Sequence, residues 1–294
     1  MSRRLSLGLD AVIVAVTADQ PRILTANQPR DGVQALPSGL LDADGDATLE
    51  LGLRRWISAQ TGLSVGYVEQ LYTFGDRDRQ RTADGTRHLS VAYLGLVREA
   101  QPAPGAAWLD GYSLLPWEDR RAGVPPIVSR ELLPALSQWA GRDAARKHRV
   151  HSNFGDRRSW DPIRVLERFE LLYEAELVPE FQRDRGRRPG SGPSHGTELA
   201  ADHRRIVATA LGRLRGKLKY RPVVFELLPE TFTLLQLQRT VEALTGMRLH
   251  KQNFRRLVEN GRFLEATRGR ERAARGRPAK LFRFRKEVVR TRLY

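Results

Sequence analysis

The sequence predicts an α+β protein of two domains, a nearly neutral first domain and a strongly basic second one. The chain has 294 residues, a length that favours two domains. Its first half alternates β-branched runs with a helical stripe, and its end has the pattern of helix, turn, helix and hairpin. Of the formal net charge of +16, residues 1–140 contribute −2 (14 basic and 16 acidic side chains) and residues 141–294 contribute +18 (36 basic and 18 acidic). A domain with that excess of positive charge is suited to bind a polyanion.

The composition excludes several classes of protein. The chain contains no cysteine, which rules out a disulfide scaffold, a thiolate zinc site and a cysteine nucleophile. Its longest apolar run near the N-terminus, residues 11–16, is far shorter than the roughly 20 residues that cross a membrane, and no cleavable signal pattern surrounds it. The six histidines show no metal-ligand spacing. We therefore expect a soluble, cytoplasmic protein with no bound metal.

The first half is predicted to form strands around an amphipathic helix. Between residues 46 and 60 the apolar side chains Leu49, Leu53 and Ile57 recur every four positions, and Gly62 follows them as a helix terminator. The other predicted elements of this half are strands at residues 11–16, 66–74 and 88–97 and a helix at residues 132–139.

A basic connector and a linker are predicted to separate the two domains. Residues 142–158 are rich in basic side chains, and a helix is expected over residues 162–180 with Asp161 as its N-cap. Residues 182–197 contain four glycines, two prolines and no apolar side chain, a composition typical of a flexible linker. A basic helix is expected over residues 203–219. The predicted bounds of the N-terminal domain, the connector with its linker and the C-terminal domain are residues 1–145, 146–200 and 201–294.

The end of the chain has the order of a winged helix-turn-helix. Residues 233–244 and 249–259 are predicted helices with apolar faces, and Gly246 ends the first of them. Residues 263–267 and 279–285 can pair as a hairpin. In this arrangement the second helix enters the major groove of DNA.

The exposed positions of that second helix are predicted to contact double-stranded DNA. The helix is expected to bury Leu249, Phe254, Leu257 and Val258, and its outward positions carry donors suited to base edges and to phosphates. The hairpin tip, residues 268–277, carries five arginines that can follow the backbone or enter a narrow minor groove. The alternatives are a solvated basic face, a nonspecific nucleic-acid binder and an RNA-binding protein. The predicted DNA-binding residues are Thr233, His250, Lys251, Gln252, Asn253, Arg255, Arg256, Arg268, Arg270, Arg275, Arg277 and Lys280.

Residues 36–63 resemble a Nudix box, a motif in which helix carboxylates hold Mg²⁺ against a diphosphate. Aligned on the closing glycine, Arg55 matches the arginine of the box. Trp56 stands at the position of the first glutamate, and Ala59 and Gln60 stand where a pair of glutamates follows. These side chains cannot replace carboxylates around a hard cation. The sequence therefore predicts a Nudix-like scaffold without a metal site and without catalytic residues.

The segments beyond the box extend the resemblance to a family. The stretches YVEQLYTFGDRDR (residues 67–79), HLSVAYLGLV (residues 88–97) and WLDGYSLLPWEDRRAG (residues 108–123) resemble the Nudix half of the NrtR transcriptional regulators. LLPETFTLLQLQRTVEALTGMRLHKQNFRRLVENG and GRPAKLFRFR are similar to that family's DNA-binding module. The resemblance implies a Nudix-like α/β/α sandwich joined to a winged helix. It also implies a homodimeric repressor of NAD-metabolism genes that binds a DNA operator, is released by ADP-ribose or a related nucleotide, and requires no cofactor.

Four side chains are predicted to bind that effector. Arg55 keeps the arginine of the box, Arg77 and Arg79 can grip a diphosphate bidentately, and Trp117 can stack on an adenine ring. The structural alternatives are a surface ion pair for Arg55, a solvated loop for the other two arginines and a core position for the tryptophan. The rival function is a Mg²⁺-dependent Nudix hydrolase of ADP-ribose with an accessory nucleic-acid-binding domain.

Overall fold

The described part of the chain contains a large mixed sheet, a helical connector and a small antiparallel sheet. This mixture confirms the predicted α+β class. None of the helices in that part is long and apolar enough to cross a membrane. The computed structural model describes residues 5–27, 33–75, 86–155, 160–186, 195–218, 223–261, 263–271 and 279–285.

The large sheet is built on two long strands that run side by side in parallel. Its described strands are β1 (Leu5–Thr17), β2 (Gln20–Asn27), β3 (Gln34–Ala35), β4 (Ser38–Leu40), β5 (Tyr67–Phe74), β6 (Arg87–Leu96) and β7 (Ala106–Asp110). β1 and β6 pair in parallel, while β2 and β4 pair with β1, and β5 with β6, in the antiparallel sense. The middle of β1 is buried on both faces, as its apolar run predicts.

Helix α1 (Leu49–Thr61) covers one face of this sheet. Thr48 caps its first turn with its side-chain oxygen, and Gly62 ends it in the left-handed conformation, with φ of +69°. Leu53 and Ile57 are buried against the sheet. The predicted helix and its glycine terminator are confirmed.

The connector is a packed helical layer. The predicted basic connector, residues 142–158, contains a helix. Asp143 caps its start, and Asn153 and Phe154 at its end are buried. The helix predicted over residues 162–180 is two helices, interrupted at Glu176, where φ is +63°. The helices from the end of the sheet through the connector are α2 (Gly111–Leu114), α3 (Leu133–Ala140), α4 (Ala144–Phe154), α5 (Val165–Glu174) and α6 (Pro179–Asp184).

The predicted linker is docked at its described ends. Its first residues belong to α6. After residues 187–194, which lie outside the described residues, the Thr197 amide donates to the Ser113 carbonyl over 2.7 Å, and the Ala200 amide donates to the Gln34 carbonyl over 2.9 Å. Both contacts tie this segment to the N-terminal domain.

Helices from the second half of the chain cover the other face of the large sheet. α7 (His203–Leu218) lies against β1, β5 and β6, and α8 (Leu234–Thr245) contacts β1 and β2. The helix, sheet, helix sandwich predicted for the first half is therefore completed by α7 and α8. The predicted boundary at residue 200 assigns α7 to the C-terminal domain, whereas α7 packs with the N-terminal sheet.

The end of the chain forms the predicted winged helix-turn-helix. Thr233 and Gln236 form a reciprocal capping box at the start of α8, and Gly246 ends that helix with φ of +69°. The second helix of the pair is α9 (Lys251–Asn260). The small sheet consists of β8 (Phe232–Thr233), β9 (Leu264–Glu271) and β10 (Ala279–Phe284), with β10 in the centre.

Candidate functional site

A cavity of about 360 Å³ lies where the Nudix-like motif meets the large sheet. Its volume is within the range of small-molecule sites, and its walls mix backbone, carboxylate, amide and imidazole groups with an indole ring. The cavity is lined by Gly8, Asp10, Ala26, Asn27, Ala35, Leu36, Ser38, Gly39, Leu40, Trp56, Gln60 and His88.

Two residues at glutamate positions of the box form one wall of this cavity. The Gln60 amide group donates to the Ser38 carbonyl over 2.7 Å and accepts from the Ser38 amide over 3.0 Å. The Trp56 indole N–H donates to the Leu40 carbonyl over 2.8 Å, and its ring lies so close over Gly39 that no Cβ would fit there. Both side chains are neutral and bonded to β4. Among the described residues, no group of three or more histidines and carboxylates is placed to hold a metal ion.

Arg55 forms a bidentate ion pair instead of facing the cavity. Its Nε and Nη2 donate to the two carboxylate oxygens of Asp46 over 2.9 and 2.8 Å. This hydrogen bonding holds the pKa of Asp46 below its ordinary value. The guanidinium also lies over the Trp56 ring, 4.6 Å from its centroid. Arg55 therefore touches the cavity only through Trp56.

The floor of the cavity is connected to the second half of the chain. Asp10 accepts a hydrogen bond from the buried Ser90 hydroxyl. On its other side, Nε2 of His203 lies 3.7 Å from the Asp10 carboxylate. Nδ1 of the same imidazole accepts from the Leu36 amide over 2.9 Å. Because His203 is the first residue of α7, the cavity floor is in direct contact with that helix.

The other predicted effector residues have different outcomes. Trp117 is fully buried, with 0% of its surface exposed, in the core cluster that also contains the apolar side chains of α7. The prediction that it stacks on a nucleotide is therefore wrong. Arg77 and Arg79 lie outside the described residues, so their role stays a prediction. Of the cavity-lining residues, His88 near the start of β6 is the one closest in sequence to Arg77 and Arg79.

Helix α9 presents its predicted donors to solvent. Its buried stripe consists of Phe254 and Val258, which pack it against the domain. Leu257 is 67% exposed, so the prediction that it packs in the core is wrong. Phe254 and Val258, four positions apart on one face, are the residues that pack this short helix against the domain. The predicted donors at the start and along this helix are all exposed: His250, Lys251, Gln252, Asn253, Arg255 and Arg256.

The wing places two further predicted residues on the same domain. Arg268 on β9 and Lys280 on β10 are exposed. Arg270 lies on β9, where it pairs in register with Lys280, while Arg275 and Arg277 lie outside the described residues. Thr233 needs a correction. Its side chain is buried, and its hydroxyl accepts from the Gln236 amide over 3.2 Å, so it caps α8 and is not displayed to a ligand.

A buried ion cluster joins the first half of the chain to the helix-turn-helix. Glu118 receives two hydrogen bonds from Arg168 on α5, of 2.6 and 2.9 Å, and a third from Arg215 on α7. The side chains of Glu118, Arg168 and Arg215 are fully buried, and we call these three residues the Glu118 cluster. Nε of Arg215 donates to the Leu244 carbonyl over 2.9 Å, which connects the cluster to the end of α8.

Further contacts fix the turn between α8 and α9 against the first half of the chain. The Tyr112 hydroxyl donates to the Ala243 carbonyl over 2.6 Å, and burial raises the pKa of Tyr112 to about 12. The Arg120 amide donates to the Gly246 carbonyl over 2.8 Å. A Cβ on Gly246 would collide with the Glu118 carbonyl. The recognition helix thus begins next to a turn that the Nudix-like half holds by its backbone.

The residues of this junction were not predicted from the sequence. Arg204 and Arg215 lie on the buried face of α7, together with Leu211. Arg204 forms an ion pair of 2.6 Å with Glu180, and that pair is buried like the Glu118 cluster. An arginine at a position of the apolar stripe was the available signal, because a buried guanidinium requires a carboxylate partner.

Comparisons with known proteins match the C-terminal domain to a family model and nearly the whole chain to a relative. The family model described as the NrtR DNA-binding winged helix domain matches residues 224–284. The "ADPR responsive transcriptional repressor NtrR" of Acinetobacter baylyi is 37% identical over 280 residues, which cover 94% of this chain and 80% of that protein.

Two solved structures have a similar fold. The NrtR of Shewanella oneidensis complexed with a 27mer DNA is 23% identical, with a TM-score of 0.59 over 97% of this chain and 95% of that chain. The MutT/nudix family protein from Enterococcus faecalis is 16% identical, with a TM-score of 0.57 over 97% of this chain and 88% of that chain. These two likenesses support the combination of a Nudix-like domain with a winged helix. From the identity and coverage of the Acinetobacter relative, the chain belongs to the NrtR family.

Proposed function

We propose that this protein is a homodimeric, cytoplasmic DNA-binding repressor of NAD-metabolism genes, that its cavity binds ADP-ribose or a related nucleotide, and that this binding releases the DNA operator. The name of the Acinetobacter relative supports the response to ADP-ribose and the repressor role. The exposed donors of α9 support the contact with DNA. The family resemblance supports the dimer and the class of regulated genes.

The observation that carries this proposal is that α7 contacts the cavity floor at one end and the end of α8, the first helix of the helix-turn-helix, near the other. At its start, His203 accepts from the Leu36 amide and approaches Asp10 at the cavity floor. Near its end, Arg215 donates to the Leu244 carbonyl, next to the turn that leads into α9. The two residues are separated by about 18 Å along a continuous helix. A shift of α7 that follows from ligand binding therefore also moves the contacts that hold the turn.

The mechanism requires that the ligand discriminate between two arrangements. Two recognition helices of a dimer fit half-sites about one helical turn apart, roughly 34 Å. ADP-ribose must bind the arrangement that does not fit DNA more tightly, because equal affinity for both would shift nothing. Displacement of α7 and of the turn at Gly246 is the proposed difference between these arrangements.

We also infer that the Nudix-like half does not hydrolyse its ligand. At the box positions of the glutamates, Trp56 and Gln60 are neutral and are hydrogen-bonded to β4, and Ala59 offers no ligand atom. Mg²⁺ in a diphosphate site needs carboxylate oxygens, which these side chains cannot supply. Glu50 is paired with Arg54 over 2.8 Å on the exposed side of α1.

A turnover assay separates the repressor from the hydrolase. With ADP-ribose and Mg²⁺, the wild-type protein is expected to release no AMP above the level of a Glu50→Gln variant, because Glu50 is engaged on the surface of α1 and is not among the cavity-lining residues. Chromatography of the reaction mixture measures the product. Mg²⁺-dependent release of AMP that the Glu50→Gln substitution abolishes would instead establish the hydrolase.

Changing the cavity wall should weaken effector binding. We expect Trp56→Leu to reduce the affinity for ADP-ribose by about tenfold, since an indole in contact with a ligand contributes about 1–3 kcal/mol. Isothermal titration calorimetry measures the change. Trp139→Leu is the matched control, because Trp139 is also a half-buried tryptophan with an arginine 4.6 Å from its ring centroid, yet it lies on α3, outside the cavity. Equal affinities in the two variants would place the effector elsewhere.

A further inference from the structure

A second cavity lies beside the turn of the helix-turn-helix. It has a volume of about 200 Å³ and opens between the loop that follows Glu118, the connector and the residues after Gly246. None of its lining residues belongs to the effector cavity described above. It is lined by Arg120, Arg121, Gly123, Val124, Trp160, Met247 and Arg248.

Arg120 lines this cavity with donors that have no acceptor. Its Nε and Nη2 are buried and make no hydrogen bond within the described structure. Its guanidinium lies 3.6 Å from the centroid of the Trp160 ring, and the guanidinium of Arg168 lies at the same distance from that ring. The indole N–H of Trp160 is also buried and unpartnered within the described residues. Buried donors of this kind are normally satisfied, so three at one cavity indicate an acceptor that enters from outside the chain.

The charges around Arg120 give the same indication. Glu118 is shared by Arg168 and Arg215, so this one buried carboxylate already balances part of the charge of two guanidinium groups. Arg120 is a third guanidinium nearby, and within the described part of the chain it has no carboxylate of its own. The two other arginines of the cavity have their own carboxylates: Arg121 pairs with Asp119 over 2.8 Å, and Arg248 pairs with Glu242 over 2.9 Å.

Burial and then the nearby Arg168 lower the pKa of Arg120 to about 10, so Arg120 remains charged at neutral pH. A half-buried cation whose Nε and Nη2 are buried without an acceptor is costly, and a bound anion would offset that cost.

We propose that this cavity binds a phosphate group through Arg120, with the Trp160 N–H and the groups of Arg248 other than Nη1, which pairs with Glu242, as further donors. The volume suits phosphate or diphosphate and is small for a nucleotide. A guanidinium edge with two free N–H groups binds phosphate oxygens bidentately. The phosphate belongs either to a free anion or to the DNA backbone. The DNA backbone is included because Arg248 lies two residues before His250, the first donor of the recognition helix. This site is separate from the proposed ADP-ribose cavity and does not depend on it.

Thermal unfolding with inorganic phosphate and with pyrophosphate tests the site, with sodium chloride at equal ionic strength as reference. The wild-type protein is expected to gain roughly 4 °C in Tm at a concentration of 100 times Kd. Arg120→Leu should lose this gain and, without the anion, unfold at the same temperature as the wild type or higher, because an uncompensated charge has been removed. Arg146→Leu is the matched control, since Arg146 stacks on Trp139 outside the cavity, and it should respond as the wild type does.

A salt titration of DNA binding distinguishes the two sources of phosphate. If the group belongs to the DNA backbone, Arg120→Leu should reduce the slope of log K against log salt by about one, whereas Arg146→Leu should not. If the group is a free anion, the slope stays unchanged and the thermal response to phosphate or pyrophosphate is lost in Arg120→Leu. If Arg120→Leu does not fold, calorimetric titration with pyrophosphate is carried out on the wild-type protein and on an Arg248→Gln variant instead. The variant is expected to bind pyrophosphate more weakly than the wild type.

Two results would overturn the proposal. In the first, the wild-type protein responds to neither anion beyond the chloride reference, and Arg120→Leu has the wild-type salt slope. In the second, Arg120→Leu unfolds at a lower temperature but keeps the full response to phosphate, which would make Arg120 a purely structural partner of Trp160.

Discussion

Glu118→Gln is expected to lower the free energy of unfolding by roughly 3–5 kcal/mol, the usual effect of removing one partner from a buried ion pair. The substitution removes the single carboxylate of the Glu118 cluster and leaves Arg168 and Arg215 charged in a site with no solvent exposure. In thermal unfolding this corresponds to a fall in Tm of roughly 5 to 8 °C for a chain of this length. Because Arg215 also binds the end of α8, the loss should appear in both halves of the chain.

The neighbouring carboxylate supplies the control for this prediction. Asp119 is half-buried and pairs with Arg121, which is also hydrogen-bonded to the side chain of Gln20. Asp119→Asn removes a charge one position away and should cost about 1 kcal/mol or less, because solvent screens that pair. If the two variants lost equal stability, the Glu118 cluster would not be the main support of the junction.

The carboxylate of Glu118 should also make the stability of the protein depend on pH. Burial alone would raise the pKa of Glu118, but Arg168 and Arg215 outweigh burial and hold the pKa below its ordinary value of 4.5. A lowered folded-state pKa stabilises the protein above the unfolded-state pKa, and the contribution is lost as the pH falls through the folded value. The difference in free energy of unfolding between the wild type and Glu118→Gln should therefore be full near pH 7 and shrink below about pH 4.5.

Arg255→Ala and Arg256→Ala on the recognition helix are expected to have the largest effects on DNA binding. If either side chain reads a base, its loss should cost roughly 1–3 kcal/mol on the preferred sequence and relax the choice of base at one position. Both side chains are exposed on α9 beside the buried stripe of Phe254 and Val258, so neither substitution should lower stability. Binding to fragments selected from genomic DNA, compared with random DNA, measures the effect.

A charge-matched variant controls for the loss of a positive charge. Arg142→Ala changes the net charge equally at an exposed position just before α4 and should leave sequence preference unchanged. An equal loss on selected and random DNA in Arg255→Ala and Arg256→Ala would mean that these arginines contact only phosphates, as in a nonspecific binder.

The sequence predicts the local elements of this fold well where their ends carry a strong signal. Gly62 and Gly246 both adopt the left-handed conformation that ends a helix, and the donors of α9 are exposed because Phe254 and Val258 fix the orientation of that helix. These features depend on residues close together in the chain.

Features set by distant contacts were not predictable in the same way. Trp117 carries the amphipathic side chain expected of a ligand platform, yet it is buried in a core cluster that includes apolar side chains of α7, a helix nearly 90 positions later. Asp10 and His203 come from opposite halves of the chain and meet only because α7 crosses β1. No periodicity within either half announces such a pair.

In the proposed mechanism, the ligand site controls the DNA site through α7. The most direct test of this mechanism is fluorescence anisotropy of the protein bound to a labelled genomic fragment, titrated with ADP-ribose. We expect the wild-type complex to dissociate as ADP-ribose saturates the protein, and the Trp56→Leu complex to need about tenfold more ligand. A wild-type complex that keeps its anisotropy at ADP-ribose concentrations at which calorimetry shows full binding would contradict the account.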